Sequence, residues 1–422
     1  MEFEAKTVCI LGRQPELGLA ELESLYGAEH ILPLKGAALL DIDAGEINFQ
    51  RLGGTIKVAR LLTILPTTNW QEILAYLTDK VPVHLQYLPD GPFTLGLSTY
   101  NLDVSVNNIN RGLLVLKKVI RKSTSRSVRV VPNKTPALNS AQVLHNKLTR
   151  TGAWELLLIA NEQQAILAQT FFVQDIEAYA TRDQARPKRD ARVGMLPPKL
   201  AQIIINLAVG QASRSEIADR KSQIIDGKAE RSLSTNYDLR PTILDPFCGT
   251  GVILQEALLM GYDVMGSDIN PRMVEYAKTN LDWLKSKFEI RNSKFEIFQA
   301  DATSFKWPPP IDTVASETYL GRPLSSLPDE ASLQKIVQDV NTILKKFLRN
   351  LHPQLPKAAR LCLAVPAWRN PEGRTLRRLP LIDHLTELGY NRVSFVHVSN
   401  DDLLYFRPDQ IVARELLVLK KA

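Results

Sequence analysis

The sequence predicts an α/β protein whose C-terminal half is built on a mostly parallel sheet, preceded by smaller α+β domains. The main observation is the stretch 242–268, where a short apolar strand, a glycine-containing turn, a helix and a second strand follow one another. Beyond it, apolar runs of strand length alternate with segments of helical spacing, as in doubly wound sheets. Residues 7–77 instead follow a strand, helix, strand, strand, helix order, which is typical of a ferredoxin-like unit.

The turn within 242–268 predicts a ligand site, because open α/β sheets bind ligands at the carboxyl ends of their strands. The first strand ends at Asp245, the loop 247–251 contains two glycines, and the next strand ends on Asp268. No Lys follows the second glycine, as a phosphate-binding P-loop would require, and Leu254 stands where a dinucleotide fingerprint has its third glycine. The pattern suits a ligand with a ribose and a positive charge but no pyrophosphate. S-adenosyl-L-methionine is such a ligand.

The motif DPFCGTG at 245–251 resembles motif I of the class I methyltransferases. This resemblance implies a Rossmann-like, seven-stranded sheet over residues 241–422, with one antiparallel strand near its edge. It also implies that Asp268 binds the ribose of S-adenosyl-L-methionine and that Asp301, after the third strand, accepts from the adenine amino group. The cofactor-binding residues that it implies are Asp245, Phe247, Gly249, Thr250, Gly251, Asp268, Ile269, Asp301 and Ala302.

Three segments precede this domain. Residues 1–85 are predicted to form the ferredoxin-like domain, and residues 86–178 contain LNSAQVLHNKL and FFVQDIEAYATRD, which resemble parts of a THUMP domain, an RNA-binding module. Residues 179–240 are predicted to be a linker with a helix and a surface insertion. Its stretch RDQARPKRDARVGMLPPKLAQIIINLA (182–208) resembles the linker of the tRNA guanosine-10 N2-methyltransferase family. We therefore expect tRNA or another structured RNA as the partner.

The charge of the chain is compatible with this partner. The formal net charge is +7 and the pI is about 9.1, which permits a polyanionic ligand without requiring one. Basic residues are concentrated in two stretches that we expect to contact phosphates. In the THUMP-like segment they are Lys117, Lys118, Arg121, Lys122, Arg126, Arg129, Lys134, Lys147 and Arg150, and in the linker they are Arg182, Arg186, Lys188, Arg189 and Arg192.

The end of the fourth strand departs from the family pattern. Enzymes that methylate exocyclic amines usually carry Asp/Asn-Pro-Pro-Tyr/Phe there, whereas this chain has Ser-Glu-Thr-Tyr-Leu-Gly at 316–321. The resemblance implies that Glu317 and the Thr318 carbonyl accept the two amine protons and that Tyr319 stacks on the base. Loss of the adjacent prolines leaves this loop less constrained. The leading hypothesis is methylation of guanosine N2 in tRNA. The alternatives are an RNA-binding protein with a retained cofactor pocket but lost or altered catalysis, and a DNA amine methyltransferase.

Other sequence features narrow the class of protein. Cys9, Cys248 and Cys362 are scattered without metal-binding spacing, so we expect reduced thiols in a cytoplasmic protein and no metal. No apolar run approaches the ~18 residues of a membrane span. Met1 to Arg13 is charged and lacks the apolar core of a signal peptide. The sequence does not indicate a protein partner.

Overall fold

The structure, a computed structural model, describes residues 3–190, 196–211, 240–370, 372, 375–407 and 410–422. Arg192 and nearly all of the insertion predicted at 213–240 lie outside these residues. The chain divides into two compact units. The first unit comprises Met1–Pro15, Glu29–Gln50 and Thr55–Ala178, and the second comprises Glu16–Ala28, Arg51–Gly54 and Tyr179–Ala422.

The described helices follow the apolar periodicity of the sequence. They are α1 (Pro15–Tyr26), α2 (Trp70–Leu85), α3 (Val106–Thr124), α4 (Ser140–His145), α5 (Ile176–Gln184), α6 (Pro198–Val209), α7 (Val252–Leu259), α8 (Pro271–Lys287) and α9 (Glu330–Leu351). The sequence predicts a helix over 139–150 that is capped by Asn139 or Ser140. Helix α4 does begin with a capping box between Asn139 and Gln142, but it ends at His145. None of the described helices is long and apolar enough to cross a membrane.

An eight-stranded sheet forms the centre of the first unit. Its strands are β1 (Thr7–Leu11), β2 (Ile31–Leu34), β3 (Ala37–Leu40), β4 (Thr55–Leu65), β5 (Phe93–Tyr100), β6 (Val128–Val130), β7 (Ala153–Asn161) and β8 (Gln164–Val173), in the order β2-β3-β1-β4-β8-β7-β5-β6. Antiparallel pairing of β4 with β8 joins strands from both sides of residue 85. The strands of the predicted ferredoxin-like and THUMP-like segments therefore share one sheet, and the THUMP-like assignment stays a prediction.

The second unit contains the α/β sheet predicted from the sequence. Its main path is seven strands, β9 (Thr242–Asp245), β10 (Asp263–Asp268), β11 (Phe295–Gln299), β12 (Thr313–Glu317), β13 (Arg360–Arg369), β15 (Tyr390–Arg392) and β17 (Val412–Lys421), with the two-residue strands β14 (Leu376–Arg377) and β16 (Leu404–Tyr405) beside it. The order is β11-β10-β9-β12-β13-β17-β15. Strands β9 to β13 of this path pair in parallel, and β17 runs antiparallel to both neighbours. The predicted α/β class of the C-terminal half, with a mostly parallel sheet, is confirmed.

The apolar spacing of the sequence predicts a helix at 381–388 and a sixth strand at 393–398, and both predictions are wrong. Strand β15 lies at Tyr390–Arg392 instead. The backbone N–H groups of Val396 and His397 donate to the Glu23 carboxylate at 2.6 and 3.0 Å instead of joining a strand ladder. The helix expected at 381–388 is a pair of short 3₁₀ segments.

Helix α1 belongs to the second unit, although in sequence it lies between β1 and β2 of the first unit. Its residues from Leu17 to Ser24 are all buried, including Glu21. The Glu21 carboxylate accepts from the N–H groups of Gly53 and Gly54 at 2.9 and 2.8 Å, and from Asn206 Nδ2 of α6 at 2.7 Å. The sequence placed α1 with residues 1–85, because its apolar spacing does not reveal which sheet it covers.

Replacing Glu21 by Gln tests this contact. The amide has a single acceptor oxygen, so one of the buried backbone N–H groups loses its partner, and the free energy of unfolding should fall by about 1–3 kcal/mol. Chemical denaturation measures the change. The matched control is Glu16→Gln, because Glu16 is exposed on the same helix. Equal stability of the two variants would show that the Glu21 hydrogen bonds do not hold α1.

Candidate active site

A cavity of about 1020 Å³ lies at the carboxyl ends of the parallel strands of the second unit. It is lined by the loops that follow β9, β10, β11 and β12, together with parts of α9 and β17. All of the site residues predicted from the sequence line it except Gly251. Those that do are Asp245, Phe247, Gly249, Thr250, Asp268, Ile269, Asp301, Ala302, Glu317, Thr318 and Tyr319.

Asp245 ends β9 at the base of this cavity and is only 2% exposed. Its Oδ1 accepts from the Ser316 hydroxyl at 2.6 Å and from the Phe247 N–H at 3.3 Å. Burial raises the pKa of Asp245 to about 7, and the nearby carboxylates of Asp268 and Glu317 add to this effect. Asp245 therefore carries a carboxyl group that titrates near neutrality.

The glycine loop turns because both of its glycines have positive φ, +50° at Gly249 and +85° at Gly251. Gly249 lines the cavity, where the absence of a side chain leaves room for a ligand. Gly251 instead shapes the start of α7, since its N–H donates to the Cys248 carbonyl at 2.8 Å. A Cβ at Gly251 would stand 3.4 Å from Ala277 of α8.

Asp268 and Asp301 follow neighbouring strands of the sheet. Asp268 ends β10, and its two oxygens accept from the N–H groups of Gly249 and Asn270 at 3.0 and 2.8 Å. Burial raises its pKa, while these two bonds oppose the rise. Asp301 is exposed after β11 and accepts from the Thr303 N–H at 2.8 Å. Each carboxylate oxygen keeps acceptor capacity beyond these bonds, so both side chains can bind hydroxyl or amino groups.

Glu317 ends β12 and forms an ion pair that the sequence did not reveal. Arg414 Nε donates to Glu317 Oε1 at 2.6 Å, and Arg414 is 5% exposed on β17. Burial raises the pKa of Glu317, whereas the Arg414 charge and hydrogen bond oppose that rise. The available signal was the adjacent pair Arg414-Glu415 within the otherwise apolar strand VARELLVL. Since Arg414 lies far from Glu317 in sequence, only the sheet order brings them together.

The next two residues differ in exposure. Thr318 is buried, and both its N–H and its hydroxyl donate to the Ala364 carbonyl of β13, at 3.0 and 3.3 Å. Tyr319 is 41% exposed at the cavity wall, so its ring is accessible for stacking. Gly321 follows with φ +88°. The loop is thus fixed at its start by β13 and turns away through the glycine.

The basic linker is partly internal to the second unit. Arg186 is 4% exposed and donates to the Thr250 hydroxyl at 3.4 Å and to Asp183 at 3.3 Å. Arg182 Nε donates to the buried Glu256 at 3.1 Å. The expectation that Arg186 contacts phosphates is therefore wrong, because its guanidinium is enclosed. No predicted role of Arg192 can be assessed, since it lies outside the described residues.

Asn280 of α8 connects this linker to the glycine loop. Its Nδ2 donates to the carbonyls of Thr250 and Lys188, both at 2.9 Å, and its Oδ1 accepts from the Lys188 N–H at 2.9 Å. Asn280 is completely buried. The loop beneath the cavity is consequently held from the linker side as well as by the sheet. Among the described residues there is no group of three or more His, Cys, Asp or Glu that could hold a metal ion.

Known proteins with similar sequences are methyltransferases, in agreement with the cavity described above. A family model described as "Methyltransferase domain" matches residues 240–365. Residues 240–365 are thus similar to methyltransferase domains. The tRNA (guanine(10)-N2)-dimethyltransferase of Methanothermobacter thermautotrophicus is 29% identical over 192 residues, 45% of each chain. The enzyme of that name from Pyrococcus abyssi is 32% identical over 128 residues, 30% of this chain and 33% of the relative.

These similarities confirm the resemblance inferred from the sequence, and they span less than half the length of the relatives. The crystal structure of TrmN from Thermus thermophilus is similar in fold over 99% of this chain and 100% of that one, with a TM-score of 0.50 and 16% identity. At that identity the likeness concerns the fold alone. The stretch matched by the family model contains the glycine loop, Asp268, Asp301 and Glu317, whereas Arg414 lies beyond it.

Asp245→Asn tests the buried carboxyl group. The pKa of Asp245 is about 7 in the folded state, against an ordinary value of 3.8. Between these two pH values the folded protein therefore binds a proton that the unfolded chain has lost. Wild-type stability relative to Asp245→Asn should therefore fall as pH rises from about 4 to about 7 and then level off. Denaturant unfolding across this range measures it. Asp282→Asn, which removes an exposed carboxylate on α8, is the control, and parallel pH curves for all three proteins would contradict the assignment.

Proposed function

We propose that this chain is an S-adenosyl-L-methionine-dependent methyltransferase that acts on an exocyclic amine of RNA, with guanosine N2 of tRNA as the substrate. The observation that carries the proposal is the presence of the Glu317 carboxylate in the same cavity as the glycine loop and Asp268. The glycine loop and Asp268 suit the cofactor, and Glu317 suits an amine. The names of the relatives supply the identity of the nucleotide.

The cavity residues fit the cofactor. Gly249 permits close approach of the backbone, and Asp268 has acceptor capacity for ribose hydroxyls. Asp301, exposed at the end of the next strand, suits an amino group of adenine. Above about pH 7 the carboxylate of Asp245 adds the negative charge that a sulfonium favours. When bound, the cofactor supplies an electrophilic methyl group on that sulfonium.

The strand-four loop fits an exocyclic amine. Such a nitrogen is a poor nucleophile because its lone pair is delocalised into the ring. Glu317 accepts a hydrogen bond from one N–H of the amine, and the Thr318 carbonyl accepts one from the other. These two bonds favour a pyramidal, attacking nitrogen. The bound cofactor would supply the methyl group to the amine held by Glu317 and the Thr318 carbonyl, and the methylated nitrogen would release one proton to solvent. The acceleration therefore comes from positioning and electrostatics rather than from a side chain that changes its charge.

RNA binding is supported by the first unit. Arg126 is engaged internally, because its guanidinium donates to the carbonyls of Pro89 and Leu88 at 2.7 and 2.8 Å. Other basic side chains of the predicted THUMP-like segment are exposed and suit phosphate contacts. They are Lys118, Arg121, Lys122, Arg129, Lys134, Lys147 and Arg150. A base paired through its amine must leave its helix to react, and the accessible ring of Tyr319 suits stacking on it.

Two observations favour a second candidate, an RNA-binding protein that retains the cofactor pocket without methyl transfer. The loop lacks the adjacent prolines of related enzymes, and Glu317 is engaged by Arg414. The hydrogen bond from Arg414 uses one acceptor position of Glu317 Oε1. A carboxylate has about four acceptor positions, so capacity for an amine remains. For this reason we favour the active enzyme.

Asp268→Ala tests the cofactor assignment. Loss of the ribose acceptor and of the bond from Gly249 should weaken cofactor binding by about 1–3 kcal/mol. Isothermal calorimetry with S-adenosylmethionine measures the affinity. Asp282→Ala is the matched control, because it removes an exposed aspartate of α8 that does not line the cavity. Undiminished affinity in Asp268→Ala would remove the basis of the cofactor assignment.

Glu317→Ala tests the catalytic assignment. Turnover should fall by roughly a hundredfold or more, as expected for lost electrostatic stabilisation, while cofactor affinity is unchanged. The assay is tritiated methyl incorporation into unmodified tRNA with identification of the product nucleosides. Thermal melting checks the fold, since the variant leaves Arg414 without its carboxylate. Robust transfer by Glu317→Ala would refute the role of Glu317. A wild type that binds cofactor and RNA but transfers no methyl group would establish the second candidate.

A further inference from the structure

The ion pair at the cavity wall joins Glu317, which can bind a substrate directly, to Arg414, which can act on a substrate through Glu317. Glu317 Oε1 accepts from Arg414 Nε at 2.6 Å, and both residues line the cavity. No bond to Glu317 Oε2 is present in the described part of the chain, and 15% of the Glu317 side chain is exposed. Glu317 therefore has unused acceptor capacity at the cavity. Arg414 acts through it as a positioning residue.

The protonation state of a glutamate determines which purine edge it can pair with. An ionised carboxylate only accepts hydrogen bonds, whereas a neutral carboxyl has one donor and one acceptor. The Watson–Crick edge of guanine presents two adjacent donors, N1–H and the N2 amine. That of adenine presents the N6 amine as donor beside N1 as acceptor. An ionised carboxylate thus matches guanine, and a neutral carboxyl matches adenine.

We propose that Arg414 selects guanine by keeping Glu317 ionised and oriented, so that the site takes the N1–H and N2 amine donors of guanine and rejects adenine. This inference rests on the proposed methyl transfer and assigns the preference for guanine to a particular residue. Facing an adenine, the ionised carboxylate would meet the N1 lone pair without a proton between them. A buried mismatch of this kind costs binding because neither group keeps its hydrogen bond to water.

Arg414 has this effect because the surroundings of Glu317 otherwise favour the neutral form. Burial raises the pKa of Glu317, and the Arg414 cation counteracts it. Asp245 on β9 is a neighbouring acid, and Arg322 and Lys346 are the other basic residues that line the cavity. Neither of these two has a bond to Glu317 among the described contacts, whereas Arg414 donates to it directly. Replacing Arg414 by a neutral residue should therefore raise the pKa of Glu317.

The experiment compares pH profiles of kcat/KM for guanosine methylation, with tritiated methyl transfer to unmodified tRNA transcripts and analysis of the products as methylguanosine or methyladenosine. In Arg414→Gln, activity on guanosine should fall by about tenfold per pH unit below the raised pKa of Glu317 and recover at higher pH. In wild type the same loss should begin at lower pH, because Arg414 opposes the rise in the pKa of Glu317. Arg414→Lys should restore the wild-type profile in part, because it returns the charge without the fixed geometry of the guanidinium.

Two further variants separate this role from a structural one. Glu317→Gln has a permanently neutral donor and acceptor, so its low activity on guanosine should not vary with pH in this range. Arg392→Gln removes another arginine that pairs with a buried glutamate, Arg392 Nη2 to Glu415 Oε1 at 3.0 Å, away from the residues that line the cavity. It should lower the melting temperature and keep the wild-type pH profile. Calorimetry should give unchanged affinity for S-adenosylhomocysteine in Arg414→Gln.

The outcomes distinguish this inference from the proposed function. If wild type transfers methyl groups to no RNA, the proposed function itself fails. If wild type methylates guanosine N2 and a folded Arg414→Gln keeps both its pH profile and its products, this inference alone is overturned. Methyladenosine as the wild-type product would also overturn it while leaving methyl transfer intact. An Arg414→Gln protein that does not fold leaves the decision to Arg414→Lys and Glu317→Gln, and a pH-dependent Glu317→Gln would contradict the role of the carboxylate.

Discussion

The second unit depends on the concentration of carboxyl groups at one edge of its parallel sheet. Strands β9, β10 and β12 end in Asp245, Asp268 and Glu317, and parallel pairing brings their ends together. Burial raises the pKa of each of these carboxyl groups, and hydrogen bonds from nearby donors oppose the rise. Backbone N–H groups serve Asp268, the Ser316 hydroxyl serves Asp245, and Arg414 serves Glu317. The chemistry of the cavity follows from this distribution of donors.

Contacts between segments that are distant in sequence hold the helices and the linker of the second unit in place. Helix α1 and the buried Glu21 contact α6 through Asn206, and Asn280 connects the linker to the glycine loop. These contacts use buried amide side chains, which donate and accept in fixed directions. Breaking one of them would leave buried polar groups without partners, which costs more than the bond contributes. Asn280 therefore holds the glycine loop, and Glu21 holds α1 against α6.

Most of the fold of the second unit could be predicted because its signals are local. The strand, glycine turn and helix of 242–268 carry their periodicity and turn chemistry within one short stretch, and Asn270 caps α8 from the adjacent position. Strand β15 was misplaced because the apolar alternation of 393–398 competes with hydrogen bonds to Glu23, which is remote in sequence. Arg414 was missed for the same kind of reason. Its partner is fixed by the order of β12, β13 and β17, which periodicity does not contain.

The altered strand-four loop obtains its rigidity differently from the pattern with adjacent prolines. Proline rings restrict φ within the backbone itself. Here Thr318 is held by two bonds to the Ala364 carbonyl, and Glu317 is held by a buried arginine. The first constraint is insensitive to charge, whereas the second exists fully only while Glu317 is ionised. Order at the substrate-facing carboxylate is thus coupled to its protonation, and a loop fixed by proline rings has no equivalent coupling. The substitution of side-chain contacts for prolines therefore makes the electrostatic state of one residue a condition for the geometry of the site.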